Sequence, residues 1–133
     1  YQNQGFCESD GNFAALHLRG PTGPVWAVSM HLHWPWPYEQ SRQVPAIVSE
    51  LIPLQGPILI GGDFNMLPWS NAVTQIARAS RNKRAGGVTP TFMFERIPLP
   101  IDHVMAPGGG TIERLPRIGS DHHGLLARVR LRP

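Results

Sequence analysis

Pro57-Ile58-Leu59-Ile60-Gly61-Gly62-Asp63-Phe64-Asn65 is the stretch on which the reading of this chain turns. Ile58, Leu59 and Ile60 form a short continuous apolar run, the pattern of a strand buried on both faces. Two glycines then let the backbone turn freely, and an acid and an amide follow at once. Asp63 and Asn65, two residues apart at a strand end, can face one pocket. Asp63 offers a negative charge to a metal or a water, and Asn65 a neutral donor to a phosphate oxygen. The bland alternative is a polar turn in which both side chains bond to nearby backbone. This stretch alone leaves the two readings level.

Upstream, Phe13 to Arg19 and Val25 to Leu32 read as strands joined by Gly20-Pro21-Thr22-Gly23-Pro24, an antiparallel hairpin. Alternation puts Trp26, Val28, Met30 and Leu32 on one face and His31 on the other. Residues 1 to 12 have no periodicity and read as loop. The prolines of His33-Trp34-Pro35-Trp36-Pro37 end the strand and begin an aromatic loop. Trp34, Trp36 and Trp69 are expected to pack over the sheet edge, the alternative being a rim that stacks bases or meets a membrane.

Between the hairpin and the central strand, Val44, Ile47, Val48, Leu51 and Ile52 follow the spacing of one buried helical face. Pro45 starts that helix or kinks it. Ser70 suits the N-cap of a second, shorter helix that turns Val73, Ile76 and Ala77 inward. The run from Arg81 to Gly87 reads as a solvated basic loop, and Thr89 to Phe94 as extended chain. A further strand spans Ile101 to Ala106 and another Thr111 to Ile118, with Pro116 at an edge or bulge. The last strand alternates: Leu125, Ala127, Val129 and Leu131 face one way, Leu126 and the arginines mostly face water.

Composition sets outer bounds. A chain of 133 residues with 41% hydrophobic side chains is a single domain at most. The formal charge of +3 fits an anionic partner only weakly. One cysteine, Cys7, rules out an internal disulfide. No apolar run approaches the roughly eighteen residues of a transmembrane segment.

Three acidic sites lie in or beside expected strand ends: Asp63-Phe64-Asn65, Ile101-Asp102-His103 and Ser120-Asp121-His122-His123. Unpaired carboxylates rarely enter cores, so these positions are expected at the surface. If the strands are neighbours in one sheet, the groups converge, and a carboxylate can orient a histidine and fix its tautomer. Gly-Asp-Phe-Asn, then Ile-Asp-His-Val, then Ser-Asp-His, in that order, resembles the endonuclease/exonuclease/phosphatase superfamily. Met30-His31-Leu32 is similar to that family's Thr-His-Leu strand end, with Met in place of Thr. His33 to Pro37 and Pro68-Trp69-Ser70 resemble a bacterial branch of it. The resemblance runs from Phe13 to Leu131.

The resemblance implies an α/β fold, a four-layered sandwich of two packed β-sheets with outer helices. It implies divalent-metal-dependent hydrolysis of a phosphoester, with Mg²⁺ the expected ion and Mn²⁺ a possible substitute. Asp63 then positions or deprotonates the attacking water, and Asn65 holds that water or the phosphate. His122 contacts the scissile phosphate or acts as acid–base partner, and Asp102 orients it. His31 contacts phosphate or protonates the leaving oxygen. The metal ligands implied are Asp121, often through water, and Asp63. The family also carries an N-terminal half with an early Asn and a principal Glu ligand. Glu8 does not match that setting, so residues 1–133 are expected to be the C-terminal portion of one such domain, inactive alone. The partners expected are a phosphoester substrate (nucleic acid, lipid head group or small phosphorylated molecule) and the N-terminal half or a second chain. Two alternatives stand beside the hydrolase. One is a truncated, non-catalytic module that binds an anionic or protein partner. The other is an unrelated metal-binding protein using His31, His33, His122 and His123.

Overall fold

A computed structural model describes residues 4–7 and 13–133. Its elements are β1 (Gln4–Cys7), β2 (Phe13–Gly20), β3 (Gly23–His31), α1 (Gln40–Leu51), β4 (Ile58–Asp63) and α2 (Asn71–Ala79). There follow β5 (Lys83–Arg84), β6 (Phe92–Phe94), β7 (Ile97–Leu99), β8 (Asp102–Ala106), β9 (Gly110–Arg114) and β10 (Leu125–Val129). Six strands form one sheet in the order β1-β2-β3-β4-β8-β5; β6 with β7 and β9 with β10 are separate two-stranded ladders. This is a mixed α/β chain with several sheets and few helices.

Strands β2 and β3 form the expected hairpin, and β3 runs parallel to β4 through the crossover helix α1. Parallel pairing matters for the site. It brings the C-terminal ends of β3 and β4 to one edge, with His31 opposite Asp63. Strand β8 then pairs antiparallel with β4, so its first residue, Asp102, lies opposite Asp63. Three chemistry-bearing residues therefore share one end of the sheet by register alone.

The core lies between the sheet and the two helices. Val28, Met30, Ile58 and Ile60 from the sheet meet Val44, Ile47, Leu51, Val73 and Ile76 from α1 and α2. Ser70 caps α2 through its hydroxyl, which accepts from the Val73 amide at 3.3 Å. Trp26 is half-buried, while Val28, Met30 and Leu32 are buried, as alternation in β3 requires.

Several expectations need correction. Gln4–Cys7 is a strand paired with β2, not loop; the rest of the first twelve residues, Glu8 included, lies outside the described residues. Gly61 and Gly62 continue β4 rather than turning the chain. Gly62 is there because β3 passes so close: at its φ of 152°, a Cβ would lie 1.9 Å from the Met30 carbonyl oxygen. Strand β4 is buried on its helix face only. Leu59, on the other face, lines an open apolar groove of about 690 Å³ with Ala14, Ala27, Val104, Ala127 and Val129. Helix α1 begins at Gln40, so Pro45 sits inside it, and Ile52, just past its end, is exposed. Its buried face includes Gln40 and Gln43, which no hydrophobic pattern could mark. Lys83 and Arg84 form a short edge strand beside β8 rather than a free loop.

Candidate active site

Strand register delivers Asp102 to the sheet end, and a buried threonine fixes it there. Thr91, fully buried, donates its hydroxyl to Asp102 Oδ2 at 2.5 Å and accepts from the Asp102 amide at 3.3 Å. The same Oδ2 lies 2.7 Å from His122 Nδ1. A carboxylate only accepts, so Nδ1 carries the proton and Nε2 of the neutral ring is turned outward as an acceptor. That Nε2 stands 3.7 Å from Asp63 Oδ2.

His122 is held from a second side. Phe92 stacks on its ring at 4.7 Å between centroids, and the two residues pair as an isolated β-bridge. The neighbouring His123 amide donates to the Thr91 carbonyl. Thr91 and Phe92 thus position Asp102 and His122 together. Sequence reasoning did not single out either one, because Thr89-Pro90-Thr91-Phe92 carries no pattern beyond extended chain.

Asp63 comes from the end of β4. Its Oδ1 accepts from the Asn65 amide at 2.8 Å, leaving Oδ2 toward the two histidines. His31 Nε2 is also 3.7 Å from that same Oδ2. The His31 ring is two-thirds exposed and the Asp63 side chain about one-fifth. Two imidazole nitrogens therefore approach one carboxylate oxygen, each beyond direct hydrogen-bond distance.

The loop that follows His31 is held from α1. Gln43 accepts from the His33 amide at 2.7 Å and donates to the His31 carbonyl at 3.2 Å. Gln40 donates to the carbonyls of His33 and Phe64. These two buried amides tie the ends of β3 and β4 together beneath the site.

Burial raises the Asp63 pKa, opposed by the Asn65 amide; the Asp102 charge raises it further, against the two histidines. Burial pushes His122 down, but the hydrogen bond and charge of Asp102, aided by Asp63 and Asp121, more than reverse this and leave it raised. Burial lowers His103, which packs edge-on against Phe64 and bonds the Met66 carbonyl through Nε2.

Of the residues expected at the site, Asp63, Asp102, His122 and His31 come together. Asn65 lies beside them, but its side chain is buried and its Nδ2 donates to the Leu32 carbonyl at 2.6 Å. It sits at φ 46°, so the chain turns at this residue. The polar-turn alternative is therefore the local geometry, and it coexists with a site. Asp121 is exposed on the neighbouring turn, outside the Asp63–Asp102–His122 group, and acts on His122 through its charge. His33 and His123 bond the carbonyls of Tyr38 and Leu115, so neither joins the four. The tryptophans depart most from expectation: Trp36 is 86% exposed and Trp69 68%, so these two are not packed over the sheet edge.

With this geometry in place, the comparisons are decisive about family. The model of the Endonuclease/Exonuclease/phosphatase family matches residues 6–122. The chain belongs to that family. No curated protein sequence matches it. Solved structures similar in fold include the endonuclease domain of TRAS1, a telomere-specific non-LTR retrotransposon (TM-score 0.63, 17% identity, 100% of this chain, 71% of that one). Sphingomyelinase C from Streptomyces griseocarneus gives a TM-score of 0.59 at 18% identity over 91% of this chain and 60% of that one. A beta toxin mutant from Staphylococcus aureus with bound magnesium ions gives 0.58 at 12% identity over 93% and 61%. The chain thus spans well short of the full length of these neighbours. Membership implies phosphoester hydrolysis as the family's chemistry. Among the described residues, no helix is long and apolar enough to cross a membrane.

Proposed function

We propose that residues 1–133 carry the hydrolytic half of a divalent-metal-dependent phosphodiesterase domain, the C-terminal portion of a four-layered sandwich. The observation that carries this reading is the chain of contacts from Thr91 through Asp102 and His122 to Asp63, with His31 close to the same Asp63 oxygen. A purely structural polar turn has no need of two imidazoles aimed at one carboxylate, which also argues against a non-catalytic module.

Asp102 holds His122 in the tautomer whose Nε2 faces the reacting centre and stabilises the ring when it takes a proton. Asp63 Oδ2, close to both rings, orients the attacking water and accepts from it. His31, exposed at the mouth, donates to a phosphate oxygen or to the leaving oxygen. Asn65 contributes by setting the turn that fixes Asp63 and through any remaining capacity of its amide oxygen.

The donor set suits a hard cation. Single donor atoms of Asp63, Asp102 and His122 lie within 4.8 Å of one another, and burial of Asp63 favours a positive neighbour for its ionised form. Asp102 and His122 are already committed to each other. Asp63 is therefore the direct ligand we propose for Mg²⁺, or for Mn²⁺ in its place, with Asp121 reaching it through water. Magnesium takes near-octahedral oxygen coordination, so other ligands come from water, substrate and a further segment, the N-terminal half or a second chain. When bound, the ion supplies neutralisation of the phosphoryl charge.

The direct test is turnover of a soluble phosphodiester by the complete polypeptide, with Mg²⁺ and with chelator, alongside His122→Ala. Chelator-sensitive hydrolysis that His122→Ala abolishes is the expected result. Turnover indifferent to both treatments would remove the proposal.

A further inference from the structure

The residues that hold the Asp102–His122 pair also line a separate cavity of about 280 Å³. Thr91 and Phe92, at the start of β6, line it from one segment. Arg114, the last residue of β9, and Arg117, Asp121 and His123 of the connection to β10 line it from another. Among the described residues, none of His31, Asp63, Asp102 and His122 does.

Bonds already in place hold these walls. Arg114 Nη1 donates to the Pro90 carbonyl at 3.3 Å, and the His123 amide donates to the Thr91 carbonyl at 2.8 Å. A guanidinium has five N–H donors, so Arg114 keeps others for a ligand. His123 Nδ1 lies 2.8 Å from the Leu115 carbonyl, which only accepts. Nδ1 therefore carries the proton, and Nε2 of the neutral ring is an acceptor. Asp121, when ionised, also only accepts. The cavity thus combines guanidinium donors with carboxylate and imidazole acceptors.

Size and charge narrow the occupant. Pockets that bury a drug-sized ligand run from about 300 to 1,000 Å³, so this one suits a small ion. Two arginines against one carboxylate leave it positive, and the arginine fork matches the oxygens of a phosphate or carboxylate. Asp121 then discriminates among anions. A phosphodiester linkage or a sulfate ion brings acceptors alone and sets bare oxygens against that carboxylate. A phosphomonoester, with its second pKa at about 6, has lost most of its donor at neutral pH. Inorganic phosphate still keeps a P–O–H there, a donor for Asp121 or His123, while its other oxygens accept from Arg114 and Arg117.

We propose that this cavity binds free hydrogen phosphate at a site separate from the reacting centre. The proposal does not rest on the phosphoesterase reading. An occupant here touches Thr91 and Phe92, the residues that fix Asp102 and His122.

The experiment is calorimetric titration of the complete, metal-free protein with inorganic phosphate, in chelator at neutral pH and constant ionic strength, with sulfate in parallel. Saturable binding of phosphate, roughly tenfold tighter than sulfate, is expected. Arg117→Gln, at an exposed position, should weaken phosphate about tenfold with unchanged thermal melting. Asp121→Asn, whose amide can donate to a bare oxygen, should erase the preference for phosphate. His31→Ala, at the reacting centre, should bind phosphate like the parent. No turnover is measured, so a failed phosphoesterase reading leaves these results intact. Absence of saturable binding overturns the proposal, as does equal affinity for sulfate in the parent. Loss of binding in His31→Ala overturns it too, by placing the ion at the reacting centre. So does binding that appears only when Mg²⁺ is added, which would place it on the metal.

Discussion

Asp102 Oδ2 lies 2.7 Å from His122 Nδ1 and also accepts the Thr91 hydroxyl. One oxygen thereby serves two donors, and the orientation of the imidazole depends on a threonine eleven residues upstream of the acid. If Asp102 acts only by orienting His122, then Asp102→Asn turns an amide toward Nδ1 and favours the wrong tautomer. In the complete protein it should cut kcat about 10²–10⁴-fold with little change in KM. Thr91→Val keeps the shape but deletes the donor, and should lower kcat less while shifting the His122 limb of the pH–rate profile. Equal, pH-independent losses in the two variants would point to misfolding instead.

Asp63 sets stability against chemistry. Burial raises its pKa, so the ionised carboxylate is a cost to the metal-free fold at neutral pH. Asp63→Asn keeps the oxygen that accepts the Asn65 amide and removes the charge. Metal-free protein carrying it should melt at a higher temperature than the parent while losing most turnover. A lower melting temperature would mean that the histidines outweigh desolvation at this position.

His122 and His103 act on stability with opposite signs. His122 has a raised pKa in the folded state, so its stabilisation is complete below its ordinary value near 6.5 and is lost as pH rises through the raised one. His103 has a lowered pKa, so its contribution is present above 6.5 and is lost as pH falls toward the folded value. The melting-temperature difference between metal-free parent and His122→Gln should therefore be largest below the ordinary value near 6.5 and shrink as the pH rises above it. A difference that grows with pH would reverse the assigned sign.

Much of this was legible in the sequence, and the parts that were not share a cause. The apolar run to Ile60, the β2–β3 hairpin, the Ser70 cap and the convergence of Asp63, Asp102, His122 and His31 follow from periodicity, turn chemistry and motif order. Thr91, Gln40 and Gln43 stayed hidden because a buried polar residue reveals itself only through its partner, and those partners are distant in sequence. Gly61 and Gly62 read as a turn because the requirement there is the close approach of Met30, a tertiary fact. Trp36 and Trp69 read as packing because hydrophobicity is the stronger prior; both lie in segments between the elements and are exposed there.

Core and site should separate cleanly under mutation. Ile60, fully buried against α1 and α2, should cost about 2–5 kcal/mol when truncated to alanine. Gly62→Ala should also destabilise, since its Cβ would strike the Met30 carbonyl, a backbone atom that cannot rotate away. Urea melts of both, against His31→Ala as an exposed control, check this. A melt of Gly62→Ala that matches the parent would show that β3 and β4 can part without cost.

The remaining prediction concerns the sheet face turned away from the helices. Ala14, Ala27, Ser29, Leu59, Gly61 and Val104 present a shallow, mostly apolar floor there. The β9–β10 ladder reaches only part of it, through Ala127 and Val129. Small side chains in the middle of a floor let another layer approach closely, and an apolar groove of about 690 Å³ left in water is costly. Residues 1–133 expressed alone should therefore self-associate or behave as a loose globule, and a further segment or a second copy should cover this face. In the proposed reading a layer covering this face also brings further oxygen ligands to the metal, so the isolated chain should bind Mg²⁺ weakly and hydrolyse little. Sedimentation velocity and Mg²⁺-dependent cleavage of a soluble phosphodiester, run on residues 1–133 and on the complete protein together, measure both. A compact, stable monomer with robust activity from residues 1–133 would show that the face and the metal site need no second layer.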